Sequence, residues 1–289
     1  MLRWVLGERL RAIRLASGLT ASEVARRLGW SPSKLSRIEN HEGIDPADVH
    51  YLLDAYGITN PADVRPLAEM ARQAQQRGWW QEGFGDVLPQ WFSTFVGLEA
   101  GAAEERDYKG ALVTGLLQTG DYARAILSTG IPAAGEPPPG EVERLVGLRL
   151  ERQRLLHLPK DPLRLWAIMD EAVLRRPIGG ADVMRRQLRH LAEISEAPNV
   201  TVQVLQEATA HPALDFPFCL LTFPEPRSAG VPRVPGLVYL ENFATSMYIE
   251  GEAQVGYYAA VFADLSRRAL DPSQSRSRLR QHIKDLDDG

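Results

Sequence analysis

The stretch TASEVARRLGWSPSKLSRIE, residues 20–39, contains the signals of two short helices separated by a tight turn. Thr20 with Glu23 three positions later fits an N-terminal capping box, and Gly29 is a residue type that commonly ends a helix. Pro32 fits the first position of the second helix, where its missing N–H costs no hydrogen bond. This spacing predicts a helix-turn-helix.

The two predicted helices have apolar residues placed to pack across the turn. Val24, Ala25 and Leu28 share one face of the first helix, and Leu35 and Ile38 share one face of the second. The polar residues of the second helix then fall on the outward face, which has the shape to enter a DNA major groove. The candidates for base contacts on that face are Ser33, Lys34 and Arg37. The candidates for phosphate contacts are Thr20, Ser22, Arg26 and Arg27.

The charge of the chain is unevenly distributed. The net charge of the whole chain is −4, but residues 1–40 contain eight basic and three acidic residues. Clustered charge acts over short distances in salt, so this basic segment predicts a local anionic partner, double-stranded DNA. A solvated surface is the alternative for any single basic helix. The coincidence of turn, caps, inner apolar residues and local charge favours the DNA interpretation.

The segment GERLRAIRLASGLTASEVARRLGWSPSKLSRIENHEG resembles the phage repressor-like (Cro/C1, or XRE) helix-turn-helix family, over about residues 5–75. The resemblance implies a sequence-specific transcriptional regulator. It places four residues at base-facing positions, namely Pro32, Ser33, Lys34 and Arg37. It also implies an ion pair between Arg14 on the first helix and Glu39 at the end of the recognition helix. The family often carries a glutamine where this chain has Ala21, so one phosphate contact is expected to be missing.

The chain is predicted to divide into two domains. Residues 1–77 are expected to form the helix-turn-helix domain, a mainly α bundle of about five helices, and residues 78–289 an α+β domain. The segment RGWWQEGFGDVLPQW at the junction interrupts the helical periodicity with glycines and aromatic residues. Apolar, β-branched segments farther on predict strands: LRLWAIMD, NVTVQVLQ, FPFCLLTF, GLVYLEN and SMYIE. Because the last three follow one another closely, α+β is favoured over a regular βαβ winding.

The second part of the chain also resembles a family, over about residues 79–284. The segments GLLQTGDYARAIL, DEAVLRRPIGG, QLRHLAEISEAPNVTVQVLQ and YYAAVFADLSRRAL are similar to the large C-terminal domain of actinobacterial regulators, a domain of unknown function. Members of that family are described as antitoxin-like and are often encoded beside a small acidic protein. The resemblance implies a C-terminal domain that binds a protein partner, forms a homodimer, or both. It implies no catalytic residues.

Two other function classes stay open on the sequence alone. One is an enzyme localised by the helix-turn-helix, with a site formed by Arg149, Arg152, Asp170 and Glu171. Paired carboxylates such as Asp170 and Glu171 could serve as acid and base, although Asp170 also suits a helix cap. The other is an antitoxin in the strict sense, whose DNA binding is autoregulatory.

Several classes of protein and site are disfavoured. No apolar run approaches the about 18 residues that a membrane span needs, and the first residues carry charges throughout, so we expect a cytoplasmic protein with no membrane partner. The single cysteine, Cys219, excludes an internal disulfide and a cysteine-rich zinc site. It lies in an apolar run and is predicted to be a buried, inert thiol. No phosphate-binding glycine loop or cluster of metal ligands is visible, so we expect no cofactor and no metal.

Overall fold

The computed structural model describes residues 2–40, 43–75, 78–129, 138–207, 209–211, 216–225, 236–242 and 245–288.

Within residues 2–40 and 43–75 the chain forms five helices. They are α1 (Leu2–Ala16), α2 (Ala21–Leu28), α3 (Pro32–Glu39), α4 (Pro46–Ala55) and α5 (Pro61–Ala74). The starts of α4 and α5 follow from local chemistry, because the side chains of Asp45 and Asn60 accept hydrogen bonds from the first turns. A proline then occupies the first position of each helix.

One apolar core holds these five helices together. Leu6, Leu10 and Ile13 of α1 are at most 3% exposed and share this core with residues from each of the other four helices. Leu35 of α3 and Leu52 of α4 are fully buried in the same core. Burial of a leucine side chain stabilises a fold by about 1.5–3 kcal/mol, so this contiguous core accounts for the order of five short helices.

The first two of the remaining described helices lie in the segment that joins the five-helix bundle to the sheet. The segment RGWWQEGFGDVLPQW interrupts the helical periodicity in the sequence, yet α6 spans Trp79–Phe84 and α7 spans Gln90–Glu99. The aromatic residues of α6 pack against α9 instead of disrupting the helix. The later helices are α8 (Gly120–Ser128), α9 (Glu141–Gln153), α10 (Ala172–Arg175), α11 (Ala181–Ile194), α12 (Glu252–Arg268) and α13 (Pro272–Asp288). No described helix is both long and apolar enough to cross a bilayer.

Six strands of the described segments form one mixed sheet. They are β1 (Glu104–Lys109), β2 (Arg164–Asp170), β3 (Val200–Leu205), β4 (Phe218–Thr222), β5 (Leu237–Glu241) and β6 (Ser246–Ile249), in the spatial order β3-β2-β1-β4-β5-β6. β1, β2 and β3 are parallel, whereas β4, β5 and β6 are antiparallel to their neighbours. The predicted fold class, a helix-turn-helix bundle followed by an α+β domain, is confirmed.

The sheet is covered on both faces. Tyr108, Phe218 and Val238 point to one face and pack against α12 through Phe262 and Leu265. The other face is covered by α7, α8, α9, α11 and α13, and it contains two apolar clusters. Between these clusters lies β1, whose sequence EERDYK was not recognised as a strand. Its register nevertheless makes it the central strand, paired with β2 on one side and β4 on the other.

Candidate nucleic-acid interface

The turn between α2 and α3 is shaped by its caps. The Thr20 hydroxyl accepts from the Glu23 amide at 3.2 Å, and Glu23 Oε2 accepts from the Thr20 amide at 2.8 Å, which closes the capping box. Gly29 then ends α2 in the left-handed region at φ 66°, where a side chain would be strained. Ser31 caps α3 by accepting from the Lys34 amide at 3.2 Å.

An ion pair fixes α3 against α1. Arg14 Nε donates to Glu39 Oε1 at 2.6 Å, and Arg14 Nη2 donates to Glu39 Oε2 at 2.8 Å. Arg14 Nη1 also donates to the Leu19 carbonyl at 2.9 Å, so the same guanidinium also holds the segment between α1 and α2. The hydrogen bonds that Arg14 donates to Glu39 raise the pKa of Arg14 above its ordinary value, although burial opposes them. A bidentate pair of this kind sets the angle between two helices as well as their distance.

The outward face of α3 presents polar side chains to solvent. Leu35 and Ile38 are buried against the helical core, whereas Ser33 and Arg37 are exposed on the opposite side. Pro32 is exposed at the first turn beside Ser33. The α3 residues predicted to contact bases are therefore accessible, with one exception.

Lys34 is the exception among the predicted base-contacting residues. Its Nζ donates to Asp48 Oδ2 on α4 at 2.6 Å and lies 3.9 Å from the centre of the Trp30 ring. The side chain is 35% exposed, so this ion pair is partly screened by solvent. Sequence reasoning missed Asp48, since nothing local indicates a contact between residues 14 positions apart.

The residues predicted to contact phosphates lie together at α2. Thr20, Ser22, Arg26 and Arg27 are all exposed. The Thr20 hydroxyl donates to Glu23 Oε2 at 2.7 Å, so its proton is already engaged within the protein. Arg27 Nη1 donates to the Ala55 carbonyl at 3.4 Å, a long bond that leaves most of the guanidinium accessible.

The charged residues of the enzyme hypothesis do not form one site. Arg149 and Arg152 of α9 line a cavity beside β1, and Asp170 and Glu171 are not among the residues of its wall. Asp170 Oδ1 instead accepts the Ala172 amide at 2.8 Å and caps α10, as one interpretation of the sequence had it. The hypothesis of a single site built from these four residues is therefore wrong.

Glu171 has a structural role on a different helix. Its carboxylate accepts from Arg278 and lies 3.1 Å from His282 Nε2, both on α13. Burial alone would raise the pKa of Glu171, but the hydrogen bonds with His282 and Arg278 outweigh burial and lower it. The group is an ionised anchor for the last helix.

Two family models match the chain. One is described as a helix-turn-helix domain and covers residues 5–67. The other is described as a domain of unknown function (DUF5753) and covers residues 92–281, more than half of the chain. No curated protein matches the sequence. A helix-turn-helix domain points to a DNA-binding regulator. The chain belongs to the DUF5753 family, with a helix-turn-helix domain preceding the family's domain of unknown function.

Proposed function

We propose that the protein is a sequence-specific, XRE-type transcriptional regulator that acts on double-stranded DNA in the cytoplasm. The observation that carries this proposal is the orientation of α3, which buries Leu35 and Ile38 and leaves Ser33 and Arg37 facing outward. A helix held at a fixed angle by the Arg14–Glu39 pair, with its polar face open, has the geometry of a recognition helix.

In this proposal the two helices divide the contacts with DNA. The Arg37 guanidinium pairs with guanine O6 and N7, and the Ser33 hydroxyl contacts a neighbouring base edge. Pro32 and Lys34 complete the base-facing set. The exposed residues of α2 hold the backbone through phosphate contacts, which position the protein but carry no base preference. These residues are Thr20, Ser22, Arg26 and Arg27.

We further propose that the regulator works as a homodimer and that its C-terminal domain binds a small acidic protein encoded nearby, as in antitoxin-like systems. The support for the acidic partner is the resemblance of residues 79–284 to actinobacterial regulators. A dimer would present two copies of α3 to half-sites about 34 Å apart on one face of the duplex. Size measurement of the free protein, and copurification with the product of the adjacent gene, test the two parts separately.

The DNA-binding proposal is tested by selecting binding sites from a random duplex library. The wild-type chain should enrich a defined sequence, and the affinity for that sequence is then compared with the affinity for a scrambled duplex. Arg37→Ala should cost about 1–3 kcal/mol on the selected sequence and little on the scrambled one. Arg26→Ala should weaken both equally.

Arg72→Ala is the matched control for these variants. Arg72 lies on α5, a helix that packs on α1 and α4, and its side chain is 63% exposed. The control should leave both affinities unchanged. Failure to enrich any sequence, or equal losses on both duplexes for Arg37→Ala, would reject the base-reading role of α3.

Asp48→Asn isolates the contribution of Lys34. The substitution replaces the carboxylate that holds Lys34 Nζ at 2.6 Å with a neutral amide, which weakens the contact and removes a negative charge beside α3. Affinity for DNA should rise, and the salt dependence of binding should steepen by about one phosphate contact. If the dependence of DNA affinity on salt concentration does not change, Lys34 makes no contact with phosphate, and its contact with Trp30 is its role.

A further inference from the structure

A cavity of about 260 Å³ lies at the carboxyl end of β1. β1, β4 and β5 form one wall, α7 and α9 form the other, and the loop that follows β1 closes the end. The cavity lies at the border where the parallel half of the sheet meets the antiparallel half. In open sheets, ligands bind outside the carboxyl ends of parallel strands, where the direction of the connections changes.

The sheet wall of this cavity carries charges in the interior of the protein. Glu105 and Asp107 alternate on β1 and are each 2% exposed. Asp107 is compensated, because its Oδ2 accepts from Thr114 and its Oδ1 lies 3.3 Å from Lys109 Nζ. Arg152 on α9 is compensated as well, since it donates to both oxygens of the buried Glu99 at 2.7 and 2.6 Å.

Glu105 on the sheet side is not compensated in this way. Its Oε2 is buried and has no hydrogen-bond partner among the described residues. Burial, together with the neighbouring Glu99 and Asp107 carboxylates, raises the pKa of Glu105 well above its ordinary value. A buried carboxyl oxygen without a donor is destabilising, which points to a donor that the folded chain does not supply.

Arg149 on the helix side is the second uncompensated group. Its Nη1 donates to Gln118 Oε1 at 2.7 Å, and the nearby carboxylate of Glu241 on β5 acts on it without forming an ion pair among the described residues. Burial, and then the neighbouring Arg152, lower the pKa of Arg149 to about 10. A guanidinium is a planar, bidentate donor suited to a carboxylate.

Together these groups define the ligand by its chemistry. We propose that the cavity binds a small zwitterionic metabolite, whose carboxylate pairs with Arg149 on α9 and whose amino group pairs with Glu105 on β1. Phe92 and Phe95 from the helix wall and Tyr239 from the sheet wall offer ring surface to the carbon chain between the two charged ends. The volume lies below the about 300–1,000 Å³ of drug-sized sites, so the ligand is a small metabolite.

A metal ion fits the same cavity less well. Ligand atoms of Glu105, Asp107 and Cys219 lie within 4.8 Å of one another. However, Lys109 Nζ already lies 3.3 Å from Asp107 Oδ1, so a metal ion would meet a fixed cation. Burial raises the pKa of the Cys219 thiol well above its ordinary value, which opposes the thiolate that a metal needs.

The cavity has a physical connection to the helix-turn-helix. Phe95 and Tyr239 line the cavity and also belong to the apolar cluster that contains Trp4 and Val5 of α1. A ligand that shifts these rings would change the packing of α1, which carries Arg14 and so positions α3. Such an effector role rests on the proposed function. The free energy by which the ligand shifts α1 equals the difference between its binding free energies for the two packings of α1.

The test measures binding to the full-length chain in the absence of DNA. The probes are glycine, L-leucine, 4-aminobutanoate and 6-aminohexanoate, each compared with the acid and the amine that carry only one of its charged groups. At least one zwitterion should raise the thermal midpoint and, by calorimetry, bind about tenfold or more tightly than both single-charge compounds. The number of carbon atoms in the zwitterion that binds most tightly reports the distance between Arg149 and Glu105.

Two variants and one control locate the bound probe. Arg149→Gln and Glu105→Gln should each weaken binding of that zwitterion about tenfold or more. Arg154→Gln is the control, because Arg154 follows α9 and its side chain is 75% exposed. Circular dichroism of each variant checks folding, and Glu105→Gln keeps the shape of the side chain.

The proposal is overturned if none of the four zwitterions binds, or if both variants bind as the wild type does. Binding of zinc chloride alone that is lost in Cys219→Ser would also overturn it, in favour of a metal site. The outcome is separable from that of the DNA experiment. If zwitterion binding is found and no DNA sequence is enriched, the ligand site stands and the proposed regulator fails.

Discussion

Arg14 and Glu39 form the ion pair on which the angle of α3 depends. Their side chains are 10% and 8% exposed, so each charge is largely withdrawn from water. Removing one partner from a buried pair leaves an uncompensated charge, which destabilises by about 3–5 kcal/mol. We therefore expect Glu39→Leu to lower the free energy of unfolding by this amount in urea titrations.

A double variant separates the cost of the orphaned charge from the worth of the pair. Arg14→Met combined with Glu39→Leu removes both charges and should be less destabilised than Glu39→Leu alone. The exposed Arg11, whose Nη1 lies 3.9 Å from Glu8, provides the control. Arg11→Ala should change stability by about 0–1 kcal/mol. A double variant as unstable as the single one would mean that packing, not charge, dominates at this site.

Glu105 makes stability depend on pH in an unusual direction. The charged groups around it are Glu99 on α7, Asp107 and Lys109 on β1 and Arg152 on α9. Because the folded-state pKa is raised above the ordinary 4.5, the folded chain binds the proton more tightly than the unfolded chain does. The contribution to stability is therefore complete below pH 4.5 and is lost as pH rises through the folded-state pKa.

Glu105→Gln tests this dependence by removing the titration. The difference in the free energy of unfolding between Glu105→Gln and wild type should shift in favour of the variant as pH rises from 4.5 through the raised folded-state pKa. Urea titrations at several pH values measure it. A difference that does not change with pH would show that the carboxyl group has the same pKa in both states.

At the level of elements, α13 is held to the sheet by apolar packing and by hydrogen bonds. Leu279 is fully buried in the apolar cluster that covers β2 and β3. The Ser275 hydroxyl accepts from the Val204 amide at 3.0 Å and donates to the Leu270 carbonyl at 3.1 Å. Leu279→Ala should therefore destabilise the protein by about 2–5 kcal/mol. The exposed neighbour Gln281, changed to alanine, should have an effect within about 0.5 kcal/mol.

The sequence predicted those elements whose signals are local. Capping residues and a following proline marked the starts of α3, α4 and α5, and apolar β-branched runs marked five of the six described strands. β1 was missed because EERDYK reads as a solvated segment. Its burial depends on partners outside the strand, such as Thr114 for Asp107 and the parallel neighbour β2.

The candidate sites also differ in whether local sequence signals predict them. The outward face of α3 was predictable, since helical periodicity decides which side chains point away from the core. The contact between Lys34 and Asp48 was not, and neither was the convergence of Glu105 and Arg149 on one cavity. Such groupings depend on the packing of distant segments, which periodicity does not encode.

At the level of the whole molecule, α1 belongs to two cores. Leu6 and Leu10 pack into the core of the helix-turn-helix, whereas Trp4 and Val5 pack into the cluster on the sheet. Trp4 lies 5.0 Å from Phe223, measured between ring centres, and its indole N–H donates to Glu250 Oε1. One helix thus connects the recognition helix to the sheet, and we expect the two parts to unfold in a single transition.

Trp4→Ala should separate the unfolding of the helix-turn-helix from the unfolding of the sheet. The side chain is 7% exposed, so its removal should destabilise the chain by about 3–5 kcal/mol through lost burial and the cavity left behind. Because Trp4 is a side chain of α1 that packs into the cluster on the sheet, its loss weakens the connection between the two cores. Differential scanning calorimetry should therefore resolve two transitions where the wild type has one. Tyr51→Ala removes an aromatic ring that is 64% exposed on α4 and should leave a single transition. Two transitions already present in the wild-type chain would show that contacts through α1 are too weak to couple the helix-turn-helix to the cavity.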